Sequence, residues 1–250
     1  MLLNSVIESL MSRKSVRVFE NRPIPEAVKQ AVLQAAINAP TAGNQQLYTI
    51  LDITDQAIKD HLAISCDNQP FIAKAPLVLI FCADAQKWYD VYVDGGCRPR
   101  IPGKGDLLLA IEDAVIAAQN AVTAAWSLGV GSCYIGDIME RCEDHRALLN
   151  LPSYVFPAAM LVFGYPVKQQ MTRLKPPRRD LNYIVHENGY RRLDGATLRQ
   201  MLRDELGHQS YEDWCQAFCA RKYNSDFSKE MSRSVEIYLN EFQYQPDPMP

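Results

Sequence analysis

Residues 12–19, Ser12-Arg13-Lys14-Ser15-Val16-Arg17-Val18-Phe19, place three cations and two hydroxyls within six positions, just after the apolar stretch from Leu2 to Leu10. Forked guanidinium donors, an ammonium and hydroxyls gathered at a helix end are the groups that hold a phosphate. The same residues in a last helical turn also complement the helix dipole, so the run taken alone carries either reading. A second cationic group, Arg173, Lys175, Arg178 and Arg179, lies in a proline-broken segment on the far side of the strand-rich region. Two basic clusters that bracket one fold can converge on one phosphate.

Other candidate motifs carry less. Gly129-Val130-Gly131-Ser132-Cys133-Tyr134-Ile135-Gly136 contains Gly-x-Gly, but the glycines follow a helix instead of opening one, and the third comes five residues later. That order fails the dinucleotide-binding pattern. It fits a helix stop followed by a strand, with glycines that cap the helix or admit a flat ligand to the backbone. Cys142-x-x-His145 with Cys133 lacks the further ligands of a zinc set. Neither a Gly-x-Ser-x-Gly elbow nor a Walker-type lysine loop is present.

The elements that position these residues follow from pattern. Residues 2–12 read as a helix, and Pro25 opens another that runs to Ala39, with Val28, Val32, Ala35 and Ala36 on one face. A polar loop over 40–46 leads to a strand at Tyr48–Ile53 and a short helix at Asp55–Ile64. Residues 75–82 form an unbroken apolar run typical of a strand buried on both faces. Residues 94–106, with four glycines and two prolines, read as a long mobile loop, a lid or an insertion. Asp106 would cap the longest helix, Leu107 to Leu128, whose apolarity on most of its circumference requires burial in a core or against a second subunit. Strands follow near 131–135 and 158–163. Residues 168–180 read as extended, and 195–242 as two or three helices anchored by Trp214, Phe218, Val235, Ile237 and Tyr238. The class is α+β with a central mixed, mainly antiparallel sheet.

At 250 residues and 48% hydrophobic, the chain fits one domain with additions at its ends. A net charge of −3 argues against nucleic acid as a partner. Charged and polar interruptions in the longest apolar stretch argue against a membrane. Seven cysteines without a regular framework, and no visible secretory signal, lead to an expectation of reduced thiols in a cytoplasm.

The ordered set of segments resembles the FMN-dependent nitroreductase / flavin reductase family over about residues 7–190. Arg13-Lys14-Ser15-Val16-Arg17 is similar to its N-terminal Arg-x-Ser-x-Arg/Lys element, and Pro40-Thr41-Ala42-Gly43-Asn44-Gln45-Gln46 to its Pro-Ser/Thr-x-x-Asn-x-Gln loop. Asn68-Gln69-Pro70-Phe71, Asp113 to Asn120, Gly129 to Gly136, and Gly164-Tyr165-Pro166 with Lys175 and Arg178 complete the match. Leu47 stands where many members have proline. Lys175-Pro176-Pro177-Arg178 is one residue longer than the frequent Lys-Pro-Arg, which leaves Arg178 and Arg179 as rival phosphate ligands.

The resemblance implies a nitroreductase-like domain over 1–190 and a helical C-terminal extension over 191–250. It implies a homodimer with FMN at the interface and ping-pong hydride transfer from NAD(P)H to a small-molecule acceptor: a nitroaromatic, a quinone or a flavin. Arg13, Lys14, Ser15, Lys175 and Arg178 would serve the phosphate, and Arg17 the pyrimidine edge of the flavin. Backbone at Tyr134, Ile135 and Gly136 would face the ring, with Gln69 in contact. Thr41 and Asn44 would come from the partner subunit, and the 107–128 helix would form the interface. No side chain is an obligatory acid or base. The same fold also accommodates dehalogenation or flavin breakdown, and a non-catalytic FMN-binding protein is the remaining alternative.

Overall fold

Strand β2 (Leu77–Asp84) is buried at all eight positions and β4 (Val155–Gly164) at all ten, as continuous apolar runs require when both faces of a sheet are covered. This computed structural model describes residues 2–243. In chain order the elements are α1 (Ser5–Ser12), α2 (Glu26–Ile37), β1 (Tyr48–Asp52), α3 (Gln56–Ser65), β2, α4 (Gln86–Asp94), α5 (Lys104–Ser127), β3 (Gly131–Ile135), α6 (Cys142–Leu149), β4, α7 (Lys168–Thr172), α8 (Gly195–Leu202), α9 (Tyr211–Lys222) and α10 (Asp226–Leu239). Residues 2–173 with 230–243 form one compact unit, and 174–229 a second.

The sheet has strand order β1-β2-β4-β3, and each pair is antiparallel. Among the described residues, the parallel pairing of this mixed sheet is a single bridge, Ser15 to Ser132. Pro157 in β4 pairs with Cys82 where the register shifts between Phe81 and Cys82. A residue without an N–H is tolerated inside a sheet at such an irregularity.

Alternation divides β2 between two cores. Leu77, Leu79, Phe81 and Ala83 pack with α5 and α2, whereas Val78, Ile80 and Cys82 pack with Leu62, Ala63 and Cys66 at α3. Full burial of a side chain such as Phe81 contributes about 1.5–3 kcal/mol.

Helix α5 is long and apolar enough to cross a membrane by length and composition alone. Here Ala110, Ala114, Ala117, Ala118, Ala121 and Ala125 are fully buried in the core, and small side chains let the helix lie close to the sheet. Its other face leaves Leu108 60%, Leu109 41%, Val115 39% and Ile116 41% exposed. Asp106 is not the N-cap expected of it. Gly103 occupies that position, and the Asp106 carboxylate, one turn in, accepts from the Gly103 N–H at 2.7 Å.

Several boundaries differ from the sequence reading. Residues 86–94 are helical, because Gly95 and Gly96 (φ +77°) supply the stop and Cys97 N–H returns to the Tyr92 carbonyl at 2.8 Å. Residues 168–172 make a short helix before the extended stretch begins. In α9 no residue is buried, and the supposed anchors Trp214 and Phe218 stack on each other at 4.7 Å within the second unit. Of the other expected anchors, Tyr238 is fully buried and Val235 and Ile237 pack against the core, joined by Phe242, which the sequence reading did not name. Tyr238 packs edge-on against Phe156 at 5.0 Å, and Ser234 Oγ accepts from Cys142 N–H at 2.9 Å while donating to the Met139 carbonyl at 2.7 Å.

Candidate functional site

After α1 the chain turns extended at Arg13 and runs beside β3. Val16 N–H donates to the Ser132 carbonyl at 2.9 Å, and Phe19 bridges Pro166. Two glycines make this approach possible. A Cβ on Gly131 would sit 2.6 Å from Val16 Cγ2, and one on Gly164 would sit 2.6 Å from the Phe19 ring. Gly131 therefore admits Val16, not a ligand. Gly129, at φ +76°, is the helix stop, and the Cβ sides of Gly129 and Gly136 both open onto free space.

Extended backbone sends successive side chains to opposite sides. Ser15 and Arg17 meet the Cys133 thiol, whose pKa is raised by burial against the opposing pull of Arg17, Ser15 and Arg13. Lys14 faces the other way and donates to the carbonyls of Met171 (2.6 Å) and Arg173 (2.5 Å). Arg173 in turn donates to the Ser15 carbonyl at 3.0 Å. Two of the three Lys14 donors thus strap the end of α7 to the 13–17 segment, a structural task the sequence did not reveal.

Arg13 lies near Tyr134, whose hydroxyl pKa is pushed up to about 12 by burial, with the Arg13 charge pulling it down. Arg13 Nη1 is buried and has no hydrogen-bond partner. Gln69 donates to Asp137 at 3.0 Å and to the Cys66 carbonyl at 2.8 Å, which ties the 68–71 segment to the turn at Gly136. Arg13, Ser15, Arg17, Gln69, Tyr134, Ile135 and Gly136 are thus gathered along β3.

Thr41 and Asn44 are elsewhere. Their loop precedes β1, at the opposite edge of the sheet, and three strand spacings of about 4.8 Å separate the edges by roughly 14 Å. The loop is organised by Asp113, which is only 3% exposed. Its carboxylate accepts from the Thr41 hydroxyl, from Ala42 N–H at 3.0 Å and from Leu47 N–H at 3.1 Å. The Thr41 oxygen also accepts from Gln46 N–H at 2.8 Å, so this hydroxyl shapes its own loop. Asp113 was missed as an individual anchor, although a lone carboxylate within an apolar helix is a legible signal: such a charge must be hydrogen-bonded.

Lys175 and Arg178 belong to the second unit. There Arg179 pairs with Glu205 at 2.8 Å and donates to the Met201 carbonyl at 3.2 Å. Burial pushes the thiols of Cys66 and Cys82 up to about 12, so both stay protonated and unreactive. His145 is fully buried with both ring nitrogens engaged, Nδ1 by the Ile138 carbonyl and Nε2 by Ser65 Oγ, and burial lowers its pKa.

Residues 10–165 match the model of the nitroreductase family. The chain is 33% identical to an oxygen-insensitive NADPH nitroreductase of Salmonella typhimurium over 78% of this chain and 79% of that one. It is 29% identical to an FMN reductase [NAD(P)H] of Bacillus subtilis over 97% and 94% of the two chains. The structure of the NADPH:FMN oxidoreductase from Vibrio harveyi complexed with NAD+ superposes with a TM-score of 0.81 at 26% identity, covering 95% of this chain and 97% of that one. With the family model spanning most of the chain, and the sheet, buried helix and β3 cluster all in place, this chain belongs to the nitroreductase family.

Proposed function

We propose that the protein is an FMN-dependent NAD(P)H oxidoreductase acting on nitroaromatics, quinones or flavins, and that it works as a homodimer with FMN at the interface. The observation that carries the cofactor assignment is Arg13 Nη1, a buried cationic donor with no protein partner beside Ser15 and Arg17. A buried guanidinium nitrogen is stable there when an anion completes its hydrogen bonds, and a phosphate monoester fits that need. The free space beside Gly136 suits a flat ring against the backbone.

When bound, FMN would supply the two-electron chemistry between nicotinamide and acceptor. The chain's own residues bind and tune. Arg13, the Ser15 hydroxyl and the remaining Lys14 donor would hold the phosphate, and the family resemblance alone adds Lys175 and Arg178 to that set. Arg178 is preferred to Arg179 because the latter is held by Glu205. Arg17 would provide a fixed positive charge that favours the more negatively charged state of the bound group. Backbone at Tyr134, Ile135 and Gly136, with Gln69 braced on Asp137, would orient the ring.

The dimer is supported by two features: the exposed apolar face of α5, and the location of Thr41 and Asn44 at the far sheet edge, where they would serve a partner's cofactor. A cytoplasmic location belongs to the same proposal, supported by seven free cysteines.

The test is retention of cofactor. Incubated with excess FMN and gel-filtered, the chain should keep about one flavin per protomer, and NADH or NADPH should bleach it anaerobically. Arg13→Ala should weaken FMN binding by about 10- to 100-fold, the worth of a charge-assisted hydrogen bond. A chain that retains no flavin would overturn the proposal.

A further inference from the structure

Helix α9 carries two cysteines one turn apart, Cys215 and Cys219, and buries none of its residues. The other thiols differ: Cys66, Cys82, Cys133 and Cys142 are buried, and Cys97 is exposed but has no second cysteine on its segment. Residues four apart in a helix share a face, with Cβ atoms about 5–6 Å apart. A disulfide needs about 3.5–4.5 Å, so the pair does not close on itself while α9 is intact. It can close on one bridging atom. Two bonds of about 2.3 Å at such an atom hold the sulfurs roughly 3.5–4 Å apart, which staggered side chains at these two positions can reach.

The surroundings define the valence of that atom. Cys215 meets the Tyr211 hydroxyl one turn before it, and Cys219 Sγ accepts from Asn224 Nδ2 at 3.6 Å, so each sulfur touches a neutral group. Glu212, the carboxylate one turn before Cys215, is paired with Arg199 at 2.7 Å. Among the described residues no group of three His, Cys, Asp or Glu is placed to hold a metal ion. Zinc, which takes four ligands, is therefore not served. Two sulfurs do satisfy a soft centre that needs no more than two, and trivalent arsenic already bonded to one carbon is such a centre.

We infer that Cys215 and Cys219 form a dithiol site for a trivalent arsenical. With an arsonous acid, R–As(OH)2, two As–S bonds replace two As–O bonds, and each thiol proton leaves with a hydroxide as water. Arsenic stays trivalent, so no oxidant or reductant enters. Once the first As–S bond has formed, the second thiol attacks within the same helical turn, at an effective concentration of about millimolar or more. The single thiol of Cys97 has no such help. Both cysteines lie in the second unit, so the inference stands apart from the cofactor assignment at β3.

Phenylarsine oxide, which hydrates to the arsonous acid, is the probe, added in equimolar amount to the reduced full chain with excess FMN present throughout. After gel filtration, intact-mass spectrometry should find one phenylarsenic per chain, and a thiol titration should find two fewer accessible thiols. The dithiol 2,3-dimercaptopropanol should strip the adduct, and the monothiol 2-mercaptoethanol at equal thiol concentration should not. Cys215→Ser and Cys219→Ser should each weaken retention by about a hundredfold, and Cys97→Ser should leave it unchanged. The double variant Cys219→Ser/Ala220→Cys keeps the number of thiols but turns one of them away from the shared face, so it should bind no better than Cys219→Ser. Neither cysteine is buried, so these variants should keep the wild-type fold, checked by circular dichroism. Full retention in the double variant, loss of the adduct in Cys97→Ser, or no adduct on the wild-type chain would each overturn the inference.

Discussion

Replacing Asp113 should do more damage than its place in the middle of a helix implies. In the native chain Oδ2 accepts from the Thr41 hydroxyl and the Leu47 N–H, and Oδ1 from the Ala42 N–H. Asp113→Ala leaves three donors around a site that is 3% exposed. Each unsatisfied buried donor costs about 1–3 kcal/mol, and partial access of water to the 41–47 loop keeps the total below the sum, at about 3–5 kcal/mol. For a chain of this size that corresponds to a fall in Tm of about 6–20 °C. Asp113→Asn separates charge from geometry. Its amide oxygen can take over the two bonds at Oδ2, but its NH2 group then faces the Ala42 N–H, so one bond is lost and two donors are left facing each other, for about 2–3 kcal/mol. Thermal and urea unfolding of wild type, Asp113→Asn and Asp113→Ala at one protein concentration would rank them in that order. An Asp113→Ala variant within 1 kcal/mol of wild type would refute the claim that this carboxylate holds the loop.

Gly131→Ala should destabilise the chain by about 1–3 kcal/mol, because its Cβ would meet Val16 at 2.6 Å. Removing the obstacle in Gly131→Ala/Val16→Ala should recover part of that loss, and strictly additive unfolding energies would contradict the packing argument. The Glu140 carboxyl is 5% exposed and pushed up to about 7, first by burial and then by the charges of Asp137, Asp67 and Glu230, with Arg141 opposing. Because the folded value is the higher one, stability should fall as pH rises from about 4.5 to about 7, where the unfolded chain is ionised and the folded carboxyl is still protonated. Glu140→Gln should lessen that fall between pH 5 and pH 8 in urea midpoints, and parallel profiles for the two proteins would count against it.

The parts of the fold legible in the sequence were those governed by local rules. Pro25 and Asp55 marked helix starts, the run at 75–82 marked a central strand, and 131–135 marked β3 to the residue. The Arg13–Arg17 run was legible as a phosphate candidate from residue type alone. What escaped depended on distant partners. Residues 86–94 include two tyrosines, a tryptophan and two valines, a composition common in strands, yet they are helical, with Trp88 packed against the core cluster. Lys14 was read only as a phosphate ligand, and its second task, donating to two carbonyls 157 and 159 residues away in sequence, left no trace in the local pattern. The glycine at 131 was left between a helix cap and the approach of a flat ligand, yet its neighbour is Val16, which no spacing rule could have named.

The bridge between Ser15 and Ser132 also has a consequence in time. During synthesis the 13–17 segment emerges before the strand it lies beside, which is made more than a hundred residues later, and Pro166, which fixes Phe19, comes later still. Contacts of such long sequence separation form late, because the loop between them must close first. The piece of the candidate site made first is therefore among the last to be placed, and until then its cations wait on an unanchored segment.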